Sequence, residues 1–269
     1  MASDFSNKVV IVTGSNAGLG EAMAILFASR GAKVTLCGRD QSRLKSVWGK
    51  LVKISGGHED RFLTVAGDLN DQRIRKKIID STIEKFGRLD ILVANAGVVS
   101  TSSSFMEESE ENYDTVMNTN LKSVFFLIQL AVPHLEKTMG NIVNISSIAA
   151  LMVMTNVMTY SLTKVALDHL TKCLAVDLGP KGIRVNSVNP GYFPTLILRD
   201  YKDPDEFNRQ IAEAERLKQP LKGRVGVLED VAETVAYLAS DSAGFITGEI
   251  IKVDGGRTFA GPTEWTIKK

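Results

Sequence analysis

Seven short runs of apolar, largely β-branched residues punctuate this chain, at 9–12, 34–37, 62–65, 89–93, 142–145, 184–188 and 250–253. They constrain its fold more than any other feature, because most are continuously hydrophobic. A strand with one face in water alternates apolar and polar residues; a strand covered on both faces does not. Between the runs lie stretches of helical character near 18–30, 41–54, 70–86, 112–136, 157–179 and 229–240. In the fifth of these, Leu167, Leu170 and Leu174 fall on one stripe, as a packed helix requires. Strands alternating with helices of this length imply right-handed crossovers and a parallel sheet. No repeat or composition break divides the chain. The expectation is an α/β fold, one doubly wound domain over 1–269 with about seven parallel strands and helices on both faces.

One region departs from the rhythm. After Pro190 and Gly191 comes a mostly apolar loop that includes Leu196, Ile197 and Leu198, then a charged helix candidate from 204 to about 218. Beyond a strand's carboxyl end, such an insertion (192–222) is where an α/β enzyme builds a lid over its ligand. An incidental surface excursion is the alternative.

Composition narrows the function. Thirty-two basic residues against 31 acidic ones leave a formal charge of +1. Neither nucleic acid nor an anionic membrane is therefore expected as a partner. The longest apolar run, 124–132, is interrupted by Gln129 and is too short to span a bilayer. Neither the first residues nor the last resemble a targeting signal. Two cysteines, Cys37 and Cys173, make no disulfide framework, and His58, His134 and His169 have no metal-ligand spacing. The expectation is a soluble cytoplasmic protein without a metal site.

The run at 9–12 leads into Gly14, Ser15, Asn16, Ala17, Gly18, Leu19 and Gly20, and then directly into a helix. A glycine cluster between strand and helix lets the backbone approach a pyrophosphate, which the helix N-terminus meets with free N–H groups. The strand–turn–helix context makes this a Rossmann-type nucleotide site rather than a mere tight turn.

The T-G-x-x-x-G-x-G spacing resembles the short-chain dehydrogenase/reductase family, in its shorter branch. Asp68 and Leu69 follow the third strand, and Asn95, Ala96 and Gly97 follow the fourth. Asn120 precedes Leu121, Ser147 lies thirteen residues before Tyr160, and Tyr160 with Lys164 forms Y-x-x-x-K. Pro190, Gly191 and Thr195 follow the sixth strand, and Asp254 begins D-G-G after the last. The likeness covers roughly residues 6–256. It implies that all the residues just named from Gly14 to Gly20 except Ala17, with Asp68, Leu69, Asn95 to Gly97, Pro190, Gly191 and Thr195, hold a nicotinamide dinucleotide. Asp68 would lie against the adenine edge. It further implies a small carbonyl or alcohol substrate and a homodimer or homotetramer through the helices near 112–136 and 157–179.

The same resemblance makes Asn120, Ser147, Tyr160 and Lys164 the catalytic set. Tyr160 and Lys164, four apart, share one helix face. A phenol of pKa about 10 is a poor acid or base at neutral pH, and a nearby ammonium lowers that value. Tyr160 is thus expected as general acid in carbonyl reduction, or base in alcohol oxidation. Ser147, rather than Ser146, would steady the substrate oxygen as negative charge develops. Asn120, rather than Asn118, would hold a proton-relay water, and Lys164 would also contact the nicotinamide ribose. Met152, Met154 and Met158, with Leu151 and Val153, lean towards an apolar substrate or towards ordinary packing. His169 reads as a helix-surface or partner-facing residue.

Cofactor choice turns on Gly38, Arg39 and Asp40. Counting about twenty residues from Gly20 nominates Asp40 as the acid that binds both ribose hydroxyls of NAD. With the strand ending at Cys37, Gly38 takes the place of that acid, and Asp40 suits a helix N-cap. Arg39 is then placed to grip a 2′-phosphate, so NADP(H) is expected as the preferred cofactor, with NAD(H) possible. Ala17 departs from the basic residue that many NADP-preferring relatives carry there. The expected function is NADPH-dependent reduction of an apolar ketone or aldehyde. A catalytically silent nucleotide-binding scaffold, or an epimerase or dehydratase, are the alternatives.

Overall fold

A computed structural model of the protein describes residues 4–99, 104–195, 197, 203–221 and 224–260. Every expected run is a strand: β1 Val9–Thr13, β2 Lys33–Gly38, β3 Phe62–Ala66, β4 Ile91–Ala94, β5 Asn141–Ile145, β6 Arg184–Pro190 and β7 Ile250–Val253. They pair in parallel in the order β3-β2-β1-β4-β5-β6-β7. Every residue of β1, β4 and β5 is buried, which is why those runs carry no polar alternation.

Successive residues of a strand serve opposite layers. Val10, Val12, Leu36 and Val93 face α1 (Gly18–Ser29), α2 (Gln41–Ile54) and α8 (Leu228–Ala239) through Met23, Phe27, Leu44 and Val235. Ile11, Leu92 and Ile142 face α3 (Gln72–Phe86), α5 (Ser123–Leu135) and α6 (Met158–Leu178) through Ile78, Leu127 and Leu167. Each such fully buried side chain contributes about 1.5–3 kcal/mol relative to exposure. Asp40 and Asp71 cap α2 and α3, accepting from the amides of Arg43 (3.0 Å) and Arg73 (2.8 Å). Among the described residues no helix is long and apolar enough to cross a membrane.

The single helix expected near 112–136 is instead α4 (Glu110–Met117), a π-helical turn at Asn118–Lys122, and α5. The wide turn carries Asn120, fully buried, whose amide bonds to the main chain beyond β4 compensate the interrupted helical ladder.

The chain winds away from β1 in both directions, so β1 and β4 are neighbours whose crossovers diverge. A crevice opens beyond their carboxyl ends, where doubly wound sheets bind ligands. Thr13 staples the crevice: its Oγ1 accepts from the amides of Asn95 and Ala96, each at 3.0 Å, while Asn95 Nδ2 donates to the Thr13 carbonyl at 2.8 Å.

Candidate active site

A cavity of about 700 Å³ occupies this crevice. Its walls gather nearly every residue singled out from sequence. The glycine loop forms one wall, with Gly14 at φ +64° and Gly18 at φ +58°, where a β-carbon would be strained. A Cβ on Gly14 would lie 2.9 Å from Ala96 Cα, and one on Gly20 would lie 2.3 Å from the Gly14 carbonyl oxygen. The bare backbone is therefore a packing requirement as well as a ligand surface. Helix α1 starts on this loop with no side-chain cap, so its first N–H groups are left for a ligand. An uncapped helix end against a glycine cradle fits the pyrophosphate of a dinucleotide.

Ser15 does not line the cavity. Its buried hydroxyl accepts from the Cys37 amide at 2.9 Å and so ties the loop to β2. Asn16, Leu19, Asp68, Leu69, Asn95, Ala96, Gly97, Pro190, Gly191 and Thr195 do line it. Asp68 is exposed, and one carboxylate oxygen accepts from the Asn70 amide at 2.9 Å. At the β2 end Arg39 is exposed and, among the described residues, makes no hydrogen bond or ion pair. Asp40 is committed to its cap and to Arg43, 3.3 Å from Arg43 Nε. Arg43 lines the cavity too, a second cation that the sequence reading missed.

Helix α6 presents Tyr160 and Lys164 one turn apart. The Lys164 ammonium lies 5.4 Å from the centre of the Tyr160 ring and donates to the Ile145 carbonyl at 2.9 Å. Burial pulls this ammonium down to about 8, with the Asp168 carboxylate partly opposing. The Tyr160 phenol is pushed above its ordinary value by burial, partly offset by a hydrogen bond with Ser147. The expected lowering of the phenol by the ammonium is thus corrected: in the protein alone desolvation prevails, and the lysine addresses the ring and a carbonyl.

Ser147 caps the turn at Ile148–Ala150, its Oγ accepting from the Ala149 amide at 3.1 Å. Ser146, the rival, is buried and donates its hydroxyl to the Lys164 carbonyl at 3.2 Å. Asn120 stands behind the cavity wall. Its Oδ1 accepts from the Val98 amide and its Nδ2 donates to the Val98 carbonyl, each at 2.8 Å, so its side chain positions the strand-end loop.

The remaining wall is mostly apolar. Met152 and Met154 join Ile148, Val157, Phe193 and Ile197, whereas Leu151 and Val153 are exposed and Met158 lies outside the lining. Leu196 and Leu198 fall outside the described residues. Helix α7 (Pro204–Lys218), the charged candidate, closes this end with Ile211 and Glu215. Arg257, from the turn after β7, donates Nε to Glu215 Oε2 at 2.6 Å, with both side chains less than a fifth exposed. The Tyr192 hydroxyl donates to Asn208 Oδ1 at 2.5 Å, a second tie to α7. Sequence reasoning missed Glu215 and Arg257, because charges 42 residues apart have no local signature.

Known proteins match this arrangement along most of the chain. The family model described as enoyl-(acyl carrier protein) reductase matches residues 14–258. An uncharacterized oxidoreductase of Thermotoga maritima is 40% identical over 258 residues, 95% of this chain and 99% of the relative. Tropinone reductase-like 3 of Erythroxylum coca is 36% identical over 252 residues, 94% of this chain and 93% of the relative. A solved structure of a short-chain dehydrogenase/reductase of unknown function from Caenorhabditis elegans, with cofactor, has a TM-score of 0.91 at 35% identity. That similarity covers 96% of this chain and 98% of the other. Seven parallel strands in this order, the glycine cradle and these matches together place the chain in the short-chain dehydrogenase/reductase family, as an oxidoreductase acting on alcohols and ketones.

Proposed function

We propose that the protein reduces an apolar ketone or aldehyde with NADPH, and oxidises the corresponding alcohol in reverse. The observation that carries this reading is the gathering of Ser147, Tyr160 and Lys164 on the wall of the same cavity as the glycine cradle, with the Lys164 ammonium 5.4 Å from the centre of the Tyr160 ring. A bound nicotinamide supplies or accepts the hydride. Ser147, with one lone pair engaged by Ala149, donates its O–H to the substrate oxygen and stabilises the charge that develops there. Tyr160 gives its phenolic proton to that oxygen in reduction, and its raised pKa keeps the proton in place at neutral pH. Lys164 holds a positive charge against the phenol's ring and would reach the nicotinamide ribose. Asn120, through Val98, keeps the wall opposite these groups in place, and a proton-relay water beside it belongs to the proposal.

The free guanidinium of Arg39 beside Gly38 supports NADPH over NADH, since a side-chain acid is missing where NAD sites carry one. Ile148, Met152, Val157 and Phe193 support an apolar substrate, and a relative named as a reductase supports the reductive direction. We take 192–222 as the lid of a single catalytic domain. The exposed Phe125 and Phe126 on α5, with Leu162 and Val165 on α6, support a homotetramer or homodimer through these helices. The free Cys37 and Cys173 support a reducing compartment, the cytoplasm.

The test is turnover of a panel of ketones and aldehydes, from small polar to bulky apolar, with each reduced cofactor in turn. NADPH-dependent reduction of apolar members, lost in Tyr160→Phe, is the expected result. No turnover with any carbonyl or alcohol would retire the catalytic reading.

A further inference from the structure

One turn beyond Lys164, on the same face of α6, lies a buried carboxylate that the catalytic scheme does not use. Asp168 is 8% exposed and Lys164 4%. Asp168 Oδ1 accepts from Ser187 Oγ at 3.1 Å, and Oδ2 accepts from Asn189 Nδ2 at 2.7 Å. The same Asn189 Nδ2 donates to the Ser147 carbonyl at 3.1 Å. A chain of two hydrogen bonds therefore runs from this carboxylate to the main chain of the serine that faces the substrate oxygen.

The charge balance of this corner is as telling as its hydrogen bonds. Among the described residues Asp168 forms no salt bridge, and neither does Lys164. A lone buried charge is expensive, and an opposite charge nearby offsets that cost. The two lie four residues apart on α6, and Asp168 is the carboxylate whose charge opposes the effect of burial on Lys164. Acceptors also crowd the corner. Asn144, paired with Ser187 across the sheet, keeps its buried Oδ1 without a donor. A site rich in acceptors favours a cation beside it. The other groups around Lys164 do not compete. Tyr160 is neutral as a phenol, and Ser146 just after β5, Asn189 of β6 and Asn120 of the π-helical turn carry no charge. Glu108, ahead of α4, is engaged by Thr159 and Asn112, while Glu110, Glu111 and Asp114 of α4 and His169, Lys172 and Asp177 of α6 are exposed.

We propose that Asp168 is a positioning residue of the active site: it holds Ser147 through Asn189 and is the buried counter-charge that keeps Lys164 cationic. The proposal rests on the catalytic reading of Ser147, Tyr160 and Lys164. Its ammonium is already drawn down to about 8 by burial, so little margin remains if the opposing carboxylate is lost. Without Asp168, Lys164 would shed its proton at lower pH and Ser147 would lose one anchor.

The decisive measurement is the titration of the Lys164 side chain by NMR in ¹⁵N-lysine protein, its resonance identified by absence in Lys164→Arg. It is made on wild type, Asp168→Asn and Ser187→Ala, alongside kcat, KM against pH and thermal melting. Asp168→Asn keeps the shape and removes the charge; Ser187→Ala removes a hydrogen bond and keeps the charge. In Asp168→Asn the midpoint should fall by about one pH unit or more. Its kcat should fall at least about tenfold, with cofactor KM within about twofold, and the alkaline loss of reductase activity should move by the same interval. Ser187→Ala should leave the midpoint in place. Should Asp168→Asn not fold, Asp168→Ser, which admits water, gives the same readings. A folded variant whose Lys164 midpoint stays put overturns the proposal, as does an activity loss that only tracks the folded fraction. Wild-type protein inactive on every carbonyl, with the midpoint still shifted in Asp168→Asn, would overturn the catalytic reading and support the charge pairing.

Discussion

Asn16 fills the space that a side chain at position 38 would need. A Cβ on Gly38 would lie 2.7 Å from Asn16 Oδ1 and 3.1 Å from Asn16 Cβ. The glycine loop and the end of β2 are therefore sterically matched, and an acid at 38 is excluded by a neighbour 22 positions earlier. Gly38→Asp alone should push Asn16 and the loop aside, raising KM for NADPH and NADH alike by roughly tenfold, the cost of about 1.4 kcal/mol of overpacking. Combining it with Asn16→Ser should restore NADH binding and complete a switch towards NAD. Steady-state constants for both cofactors decide the matter; a gain in NADH use by Gly38→Asp alone would show that the two positions are not coupled.

Arg39 is available for a new partner because Asp40 is taken by the α2 cap and by Arg43. A charge-assisted hydrogen bond is worth about 1.5–3 kcal/mol, so Arg39→Ala should raise KM for NADPH roughly 10- to 100-fold. NADH constants should change little. Equal effects on the two cofactors would mean that Arg39 does not read the 2′-phosphate.

Tyr160→Phe should reduce kcat by at least about a hundredfold while cofactor affinity, measured by fluorescence titration, stays near that of wild type. The pH profile follows from the raised phenol. A phenol whose pKa lies above the ordinary value remains protonated through neutral pH, so proton donation during reduction does not decline there on its account. Alcohol oxidation needs the deprotonated form and should climb as pH rises towards 10. An oxidation rate that is flat across that range contradicts the role.

The Glu215–Arg257 pair ties α7 to the turn after β7 at the substrate end of the cavity. Arg257→Ala should loosen this helix, raising substrate KM roughly fivefold for a loss of about 1 kcal/mol. Cofactor KM should hold, and limited proteolysis should cut the α7 region faster than in wild type. Unchanged substrate KM with unchanged proteolysis would remove the pair from any part in closing the site.

Much of this molecule was legible before any tertiary structure, for a physical reason. Covered parallel strands must be apolar throughout, and a backbone that meets a pyrophosphate must shed its side chains. Both demands act over a few residues, so the runs and the Gly14–Gly18–Gly20 spacing revealed seven strands and the crevice. The capping role of Asp40 was legible for the same reason, since a helix end is a local event. Tyr160, Ser147 and Lys164 came from spacing and from resemblance to a family.

What depended on tertiary structure has no period along the chain. The π-helical turn carries Asn120, which bonds Val98, 22 residues away, and no helical pattern encodes that. The Ser15 hydroxyl meets the Cys37 amide, 22 residues away, only because β2 lies beside the glycine loop. Glu215 meets Arg257, Asp168 meets Asn189, and Asn16 meets Gly38 only because the sheet brings their elements together. Even the direction of the Tyr160 shift was decided there, since it is set by burial, and burial depends on packing around the whole side chain. The sequence alone determined the strands, the turn and the chemistry available; packing decided which of those groups touch, and how strongly solvent is excluded from them.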